Sequence, residues 1–357
     1  MNLTELFTAR SVASQYTENA SNRVPYLGEG FFPSRKKLGL DLSWIKGHKG
    51  LPVSLAPSNF DAKAKLRARE GLAKETTQMA FFREAMLVKE KDEQDFMRVK
   101  DANDPYADEV LSRIYDDTNN LLEGAMVVPE RMRMQLLAPT DGHPAIYIES
   151  DGVTYAYNYD AEGTYAEKNY MELTGTDMWS DVENSDPLTD VSAGMDAVEE
   201  LTGSRPAIML VSKKTAGYLR QNAKIKAAIL AQNVTANVLI TDARVAEVFQ
   251  NQLGVTVVVY NKKYKDEAGN TQQFYPDDYA TLLPEGALGN TWYGTTPEER
   301  TLNGNPAANV SIVNTGVAIS VFTTPHPVNT QTTASEIVLP SYERMDETFV
   351  LKVGAGA

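Results

Sequence analysis

The longest periodic pattern in the chain runs from Asp104 to Pro139 and predicts one long helix. Apolar or small residues recur along it alternately four and three positions apart, as on one side of a helix. They are Leu111, Ile114, Thr118, Leu121, Ala125, Val128 and Met132. Asp104 is suited to cap the first turn, and Pro105 to follow it. Because Pro129 removes one backbone hydrogen bond, a bent pair of shorter helices is the alternative.

A second pattern, of period two, covers residues 62–69, where small or apolar residues alternate with basic ones. The basic residues are Lys63, Lys65, Arg67 and Arg69. In a strand this spacing puts all four charges on one face, and a turn signal at Glu70-Gly71 predicts a long β-hairpin. A helix is the alternative, since the same residue types favour helices. One interpretation of the basic face is a contact with an acidic surface, such as the surface of another copy of this chain. The other interpretation is a solvated strand edge that is protected by its charges.

The N-terminal part combines a short helix with an arm that has no periodicity. Residues 2–20 predict an amphipathic helix, and residues 23–44 are rich in glycine, proline and aromatic residues. Such an arm cannot build its own core, so its aromatic side chains are expected to pack on the body of this chain or on a neighbouring subunit. Tyr26, Phe31 and Phe32 are therefore candidates for contacts between subunits.

After the long helix, strand and helix patterns alternate and predict a second lobe. A hairpin is predicted over 145–159, and residues 174–187 have the composition of a linker. The lobe starts at Asp186-Pro187 with a helix that ends at Gly203. Its further strands are predicted at 207–211, 237–240 and 255–260, and its further helices within 213–232 and at 242–253. The last strands, expected to return to a sheet beside the long helix, are 311–313, 317–322, 336–339 and 348–353.

The composition narrows the class of protein. Of the 357 residues, 23% are charged and 42% are apolar, which is typical of a soluble globular protein. No apolar run approaches the roughly 20 residues of a membrane span, and the N-terminus has no signal-peptide pattern. The absence of cysteine excludes disulfides and thiolate metal sites. The formal charge of −14 argues against a general nucleic-acid binder, because affinity for phosphates needs a basic surface.

Motifs for catalysis or metal binding find little support. The three histidines, His48, His143 and His326, are far apart, and none has a second ligand residue at the spacing of a metal site. There is no Gly-x-Ser-x-Gly elbow, no Walker-type loop and no glycine-rich turn after the first strand of the second lobe. Acidic pairs such as Asp277-Asp278 arise by chance in an acidic protein. We therefore expect no catalysis, no cofactor and no metal.

Several short stretches resemble the lambda-type major capsid proteins of tailed bacteriophages, the protein E family. They are Pro25–Glu29, Phe32-Pro33, Gly39–Leu42, Trp44–Gly47, Arg83–Met86, Leu283–Thr291, Tyr293–Glu299 and Leu339–Glu343. Each stretch is short, but they follow one another in order from the arm to the C-terminus. Their order and spacing make the resemblance specific, and it covers nearly the whole chain.

The resemblance implies the Hong Kong 97-type phage capsid fold, an α+β fold. This fold has an N-terminal arm, a long β-hairpin called the E-loop, a peripheral domain with a long spine helix, and an axial domain. On this sequence the expected ranges are 1–48 for the arm, 49–90 for the E-loop, 91–185 for the peripheral domain with spine helix 105–138, 186–318 for the axial domain, and 319–357 for C-terminal strands that return to the peripheral domain.

The resemblance also implies a structural function. Copies of the chain are expected to form pentamers and hexamers of an icosahedral virion capsid, which is assembled in the bacterial host cytoplasm around double-stranded DNA. Expected partners are other copies, portal and scaffold or protease proteins, a decoration protein in some relatives, and packaged DNA bound without sequence specificity; no membrane is involved. The alternatives are an encapsulin-like nanocompartment shell and a two-lobed small-molecule-binding protein.

Overall fold

A computed structural model of the chain describes residues 8–20, 26–46, 73–91, 94, 98, 106–150, 152–231, 240–302, 309–325 and 328–355. Within these residues the chain divides into two compact units. Unit 1 is formed by the described parts of 1–43, 76–132 and 290–341. Unit 2 is formed by the described parts of 44–75, 133–289 and 342–357.

Helices and strands are mixed along the chain. The helices are α1 (Ala9–Ala20), α2 (Leu27–Phe31), α3 (Tyr106–Leu137), α4 (Thr164–Lys168), α5 (Pro187–Thr202), α6 (Lys213–Gln221), α7 (Ala223–Ala231), α8 (Asp242–Leu253) and α9 (Pro297–Leu302). The strands are β1 (Ser34–Lys36), β2 (Asp41–Lys46), β3 (Ala73–Gln78), β4 (Ala80–Val88), β5 (Ala145–Ser150), β6 (Val153–Asn158), β7 (Tyr170–Glu172), β8 (Ile208–Val211), β9 (Thr256–Val259), β10 (Lys263–Lys265), β11 (Thr271–Gln273), β12 (Tyr279–Leu283), β13 (Gly289–Tyr293), β14 (Asn309–Val313), β15 (Val317–Pro325), β16 (Val328–Tyr342) and β17 (Phe349–Lys352).

The long helix predicted from the hydrophobic pattern is present as α3. It is continuous over 32 residues with Pro129 inside it, so the alternative of two shorter helices is wrong. The predicted cap at Asp104-Pro105 lies outside the described residues. Beyond Pro129 the helix is buried on more than one side and carries two buried charged residues. The buried residues there are Glu130, Met132, Arg133, Met134, Leu136 and Leu137.

Unit 1 is organised around the 15-residue strand β16. The sheet order is β1-β13-β16-β15-β14, and β4 also pairs with β16. In β15, residues 317, 319 and 321 point to one face because side chains alternate along a strand. Helix α1 packs on that face together with α3. The buried apolar residues of this cluster are Ala9, Val12, Tyr16, Leu121, Leu122, Val313, Val317, Ile319, Val321 and Ala334.

Unit 2 contains a five-stranded mixed sheet, β7-β17-β12-β8-β9, with helices α5 to α8 packed around an apolar core. Local signals set the ends of these helices. The Asp186 side chain accepts a hydrogen bond from the Thr189 N–H, and Gly203 ends α5 with φ of 72°. Thr241 and Gly254 bound α8 in the same way. Helix α8 has the bounds that the sequence predicts.

Three expectations for the later part of the chain need correction or stay open. The expected boundary between 318 and 319 falls inside β15, whose hairpin partner β14 lies in the same sheet. Strand β17 does not join that sheet but pairs with β12 and β7 in unit 2, so only some terminal strands return to the sheet beside the long helix. The strand predicted at 237–240 lies almost entirely outside the described residues.

The segment 174–187 is also more firmly held than its linker-like composition indicates. The Trp179 side chain is fully buried in the core of unit 2. Its indole N–H donates to Asp190 at 2.9 Å, and its backbone N–H donates to the carbonyl of Val353 at 2.8 Å. Polar and glycine residues therefore surround one apolar anchor, which the average composition of the segment conceals.

Candidate functional site

Strands β2 and β3 pair as a two-stranded ribbon at the base of the predicted E-loop. Leu42 of β2 is buried, whereas its neighbours in sequence are exposed, as expected of a strand with one covered face. The backbone N–H of Met79 donates to the carbonyl of Leu40 at 2.9 Å. The Trp44 ring stacks on Tyr159, with centroids 5.5 Å apart. The ribbon therefore brings the chain back at Ala73 beside the point at which it leaves.

The residues between the two strands of the ribbon carry the basic pattern. Residues 47–72 lie outside the described residues, and so do Lys63, Lys65, Arg67 and Arg69. Their predicted contacts with other subunits stay a prediction. His48 and His326 also lie outside the described residues.

The aromatic residues of the arm were expected to pack on the body of this chain or on a neighbouring subunit. Phe31 and Phe32 are 8% and 0% exposed, so the chain itself covers both. The carbonyl of Phe32 accepts the Thr291 hydroxyl at 2.9 Å, and the Gly28 N–H donates to the buried Glu130 carboxylate at 3.0 Å. Phe31 and Phe32 thus pack on the body of this chain, which is one of the two expected positions, and their contacts with other subunits stay a prediction. Tyr26 is half-buried and stays a candidate.

The predicted hairpin after α3 is formed by β5 and β6. Its register pairs Ile146 with Tyr157 and Ile148 with Tyr155 on the covered face. Burial raises the pKa of Tyr157 to about 12. On the other face Tyr147 is 56% exposed, and its hydroxyl donates to Glu149.

The outer edge of β5 is occupied by a side chain. The Gln135 amide donates to the carbonyl of Tyr147 at 3.0 Å and accepts the Tyr147 N–H at 3.1 Å. One side chain thus makes both hydrogen bonds that a neighbouring strand would make at this residue. The hydrophobic pattern of α3 gave no signal for this role, because Gln135 became relevant only once the edge of β5 was known.

A cluster in unit 2 combines a lysine, a tyrosine and an aspartate, residue types that also occur in active sites. The buried Asp278 carboxylate accepts Lys214 Nζ and the Tyr218 hydroxyl, both at 3.0 Å. The hydrogen bond from Lys214 to Asp278 raises the pKa of the amine above its usual value. A protonated amine is not a nucleophile. The Asp278 carbonyl also accepts the Val353 N–H at 2.8 Å, so the cluster holds the C-terminal strand.

A second polar cluster holds α9 against the sheet of unit 1. Thr296 caps the helix by accepting the Glu299 N–H at 3.3 Å. Glu298 forms an ion pair with Arg83 and accepts the Ser335 hydroxyl at 2.8 Å. These contacts lie on the face of the sheet opposite α1, because Ser335 and Ala334 alternate along β16.

Among the described residues, no group of three or more histidine, cysteine or acidic side chains is arranged to hold a metal ion. In that part of the chain, no helix combines the length and the hydrophobicity of a membrane span.

Comparison with known proteins decides the family. A model of the family described as phage major capsid protein E matches residues 9–353. The chain belongs to this family. The predicted resemblance to this family is therefore confirmed over nearly the whole length of the chain. The family takes the place of the alternative of a two-lobed small-molecule-binding protein. Comparison with curated protein sequences finds no significant match.

Solved structures show the fold of this family member. The chain is similar to a putative capsid protein of a prophage from Escherichia coli CFT073, with 14% identity, a TM-score of 0.58 and coverage of 98% and 99% of the two chains. It is also similar to a phage-related protein from Bordetella bronchiseptica RB50, with 13% identity, a TM-score of 0.55 and coverage of 95% and 96%. The predicted Hong Kong 97-type α+β fold is confirmed, and the protein is a phage major capsid protein, a building block of an icosahedral shell.

Proposed function

We propose that residues 47–72, presented by the β2–β3 ribbon, hold neighbouring copies of this capsid protein together. The observation that supports this proposal is the ribbon. Its strands end at Lys46 and begin again at Ala73, so the 26 residues between them form a loop whose two ends lie side by side. The segment has five basic and two acidic residues, whereas the whole chain has 34 basic and 48 acidic residues. Opposite charges favour docking on another copy of this acidic subunit.

The remaining roles follow from the family and are proposed with it. The shell encloses double-stranded DNA, is assembled in the host cytoplasm with portal and scaffold or protease proteins, and in some cases binds a decoration protein. The capsid role is structural, and no catalysis is proposed for it. The names arm, E-loop, peripheral domain and axial domain are proposed for the predicted ranges, with 309–318 assigned to the sheet of β15 and β16 and 349–352 assigned to the sheet of unit 2.

Charge reversal tests the docking role. The variant Lys63→Glu, Lys65→Glu, Arg67→Glu, Arg69→Glu is expected to form few or no closed shells in electron microscopy, because the complementary charge is inverted. Light scattering and circular dichroism would show a folded, unassembled subunit. If wild-type protein needs a scaffold, both proteins are co-expressed with the same candidate scaffold.

A matched control separates the effect of this contact from the effect of the change in net charge. The variant Lys168→Glu, Lys213→Glu, Lys263→Glu, Lys265→Glu changes the net charge equally at four exposed lysines of unit 2. It is expected to assemble as wild-type protein does. Normal shells from the first variant, or equal loss in both variants, would contradict the docking role of residues 47–72.

A further inference from the structure

The hairpin β5–β6 has two edges that differ in their hydrogen bonding. Gln135 occupies both backbone groups of Tyr147 on the β5 edge. The register places Tyr147 opposite Ala156. Since both backbone groups of Tyr147 point to Gln135, this pair exchanges no hydrogen bonds within the hairpin. The backbone groups of Ala156 therefore point away from β5. Those of Thr154 and Asn158, two residues to either side, point the same way.

This outer edge of β6 is exposed. Thr154, Ala156 and Asn158 are all exposed, and the structure describes no strand other than β5 beside β6. Natural proteins protect such edges with charges, proline, bulges or covering segments. The strand Val153–Asn158 has no charged residue and no proline, although 23% of the chain is charged. It therefore has the properties of a strand that pairs with a partner.

We propose that β6 pairs antiparallel with β6 of a second copy across a two-fold axis of the assembled shell. Two hairpins then form one four-stranded sheet. This inference rests on the proposed function, since it needs a shell. Closed icosahedral shells contain two-fold axes, and a two-fold axis requires a self-complementary contact. An uncharged strand meets its own copy without repulsion between like charges. A two-stranded hairpin is marginally stable alone, and pairing with the two strands of a second hairpin would stabilise it.

The number of possible hydrogen bonds fixes the register. With the axis at Ala156, each Ala156 faces the partner subunit's Ala156, and Thr154 faces the partner subunit's Asn158. All three outward-pointing residues then pair. A shift along the strand leaves at least one of them unpaired. The central position also places the smallest side chain of the strand opposite itself, between the two bulky Tyr147 side chains.

Single cysteines test this register without interference, because the chain contains no cysteine. In the proposed register the Cα atoms at position 156 lie roughly 5.5 Å apart, within the range of a disulfide. Shells of Ala156→Cys, oxidised and run on a non-reducing denaturing gel, should therefore yield disulfide-linked dimers. In Thr154→Cys the two thiols lie four residues apart along the strand, roughly 13 Å, and at least about ten-fold less dimer is expected.

The outcomes separate this inference from the proposed function. Shells of Ala156→Cys without dimers, or with no more dimer than Thr154→Cys, would overturn the pairing of β6 and leave the shell itself established. Another segment or protein on this edge would give that result. If Ala156→Cys fails to assemble while Ala156→Ser assembles, the double variant Thr154→Cys, Asn158→Cys tests the same register. Dimers in its shells support the pairing, and their absence overturns it.

Discussion

The two units differ in how their buried polar side chains are hydrogen-bonded. In unit 2 several buried polar side chains are tied to the backbone: the Thr281 hydroxyl donates to the carbonyl of Leu137 at 2.6 Å, and the Asn222 amide donates to that of Ser185 at 3.1 Å. One described hydroxyl of unit 2, that of Tyr170, is buried without a partner. In unit 1 the hydroxyls of Ser320 and Thr332 are buried without a hydrogen-bond partner in the described part of the chain. Unpaired buried hydroxyls lower stability. We therefore infer that the described interior of unit 2 is the better satisfied of the two in its hydrogen bonds.

This comparison assigns different tasks to the two units. Unit 2 has an extensive apolar core that includes Trp179, Phe249 and Phe349. Among the described residues, the apolar cluster of unit 1 has fewer buried members, and the longest strand of this unit buries a row of threonine and serine residues. We infer that unit 2 sets the stability of the free subunit, whereas the sheet of unit 1 tolerates less favourable burial. Three sets of substitutions, from the largest expected effect to the smallest, test this difference.

The largest effect is expected from Trp179→Ala in unit 2. Removing a fully buried indole leaves a cavity and deprives Asp190 of its donor, so the free energy of unfolding should fall by about 3–5 kcal/mol. Chemical denaturation of the unassembled subunit measures it. Leu38→Ala, at a residue 86% exposed, is the control and should change stability by less than about 0.5 kcal/mol. A loss below about 1 kcal/mol for Trp179→Ala would show that this core is not decisive.

A matched pair of threonines should give effects of opposite sign. Thr281→Val removes a hydroxyl that bonds both the Leu137 carbonyl and Tyr275, so stability should fall by about 1–3 kcal/mol. Thr332→Val replaces a buried hydroxyl that lies on the face of Met86 and Val321, so stability should stay equal or rise by up to about 1 kcal/mol. Equal losses at the two positions would remove the proposed difference between the units.

The smallest effect is expected at the cap of α5. Partial burial alone raises the pKa of Asp186, but hydrogen bonds from Lys224 and Thr189 outweigh it and leave the pKa below its usual value. A lowered pKa means that the charged form stabilises the fold above roughly pH 4 and that this contribution is lost as the pH falls further. Asp186→Ala should cost about 1 kcal/mol at pH 7.

The pH dependence separates the cap from the charge. Asp186→Asn keeps an oxygen that can accept the Thr189 N–H but carries no charge, so it should lose less stability than Asp186→Ala. Denaturation at pH 7 and at pH 3 measures both variants. If the difference between wild-type protein and Asp186→Asn is unchanged at pH 3, the contribution of the carboxylate charge is ruled out.

Local signals made much of this fold predictable. Helix α8 lies between a threonine cap and a glycine, and its bounds follow from those residues alone. The pairing of distant segments did not follow. Strand β17 joins β12 and β7 because of its register with strands far away in sequence, and Phe32 is buried because Thr291 and its strand lie beside the arm. Hydrophobic periodicity reports which face of an element is covered, but not by what.

The candidate site shows the same limit. The alternating charges of residues 62–69 remain a sequence-based prediction, and the structure adds the ribbon from which that segment extends. The edge of β6 was not predicted, because it depends on Gln135, whose role requires the three-dimensional path of α3. A six-residue strand without charge in an acidic chain was the signal available, and its meaning needed the register of the hairpin.

Strand β16 also gives unit 1 a direction of mechanical strength. Nine residues of β4 lie opposite β16 in an unbroken antiparallel register. The hydrogen bonds of such a pair run perpendicular to the strands. A force that pulls β4 along the axis of β16 therefore strains all of these bonds simultaneously, whereas a force across the sheet opens them one after another from the end. Tension in a shell wall is resisted far better along this axis than across it.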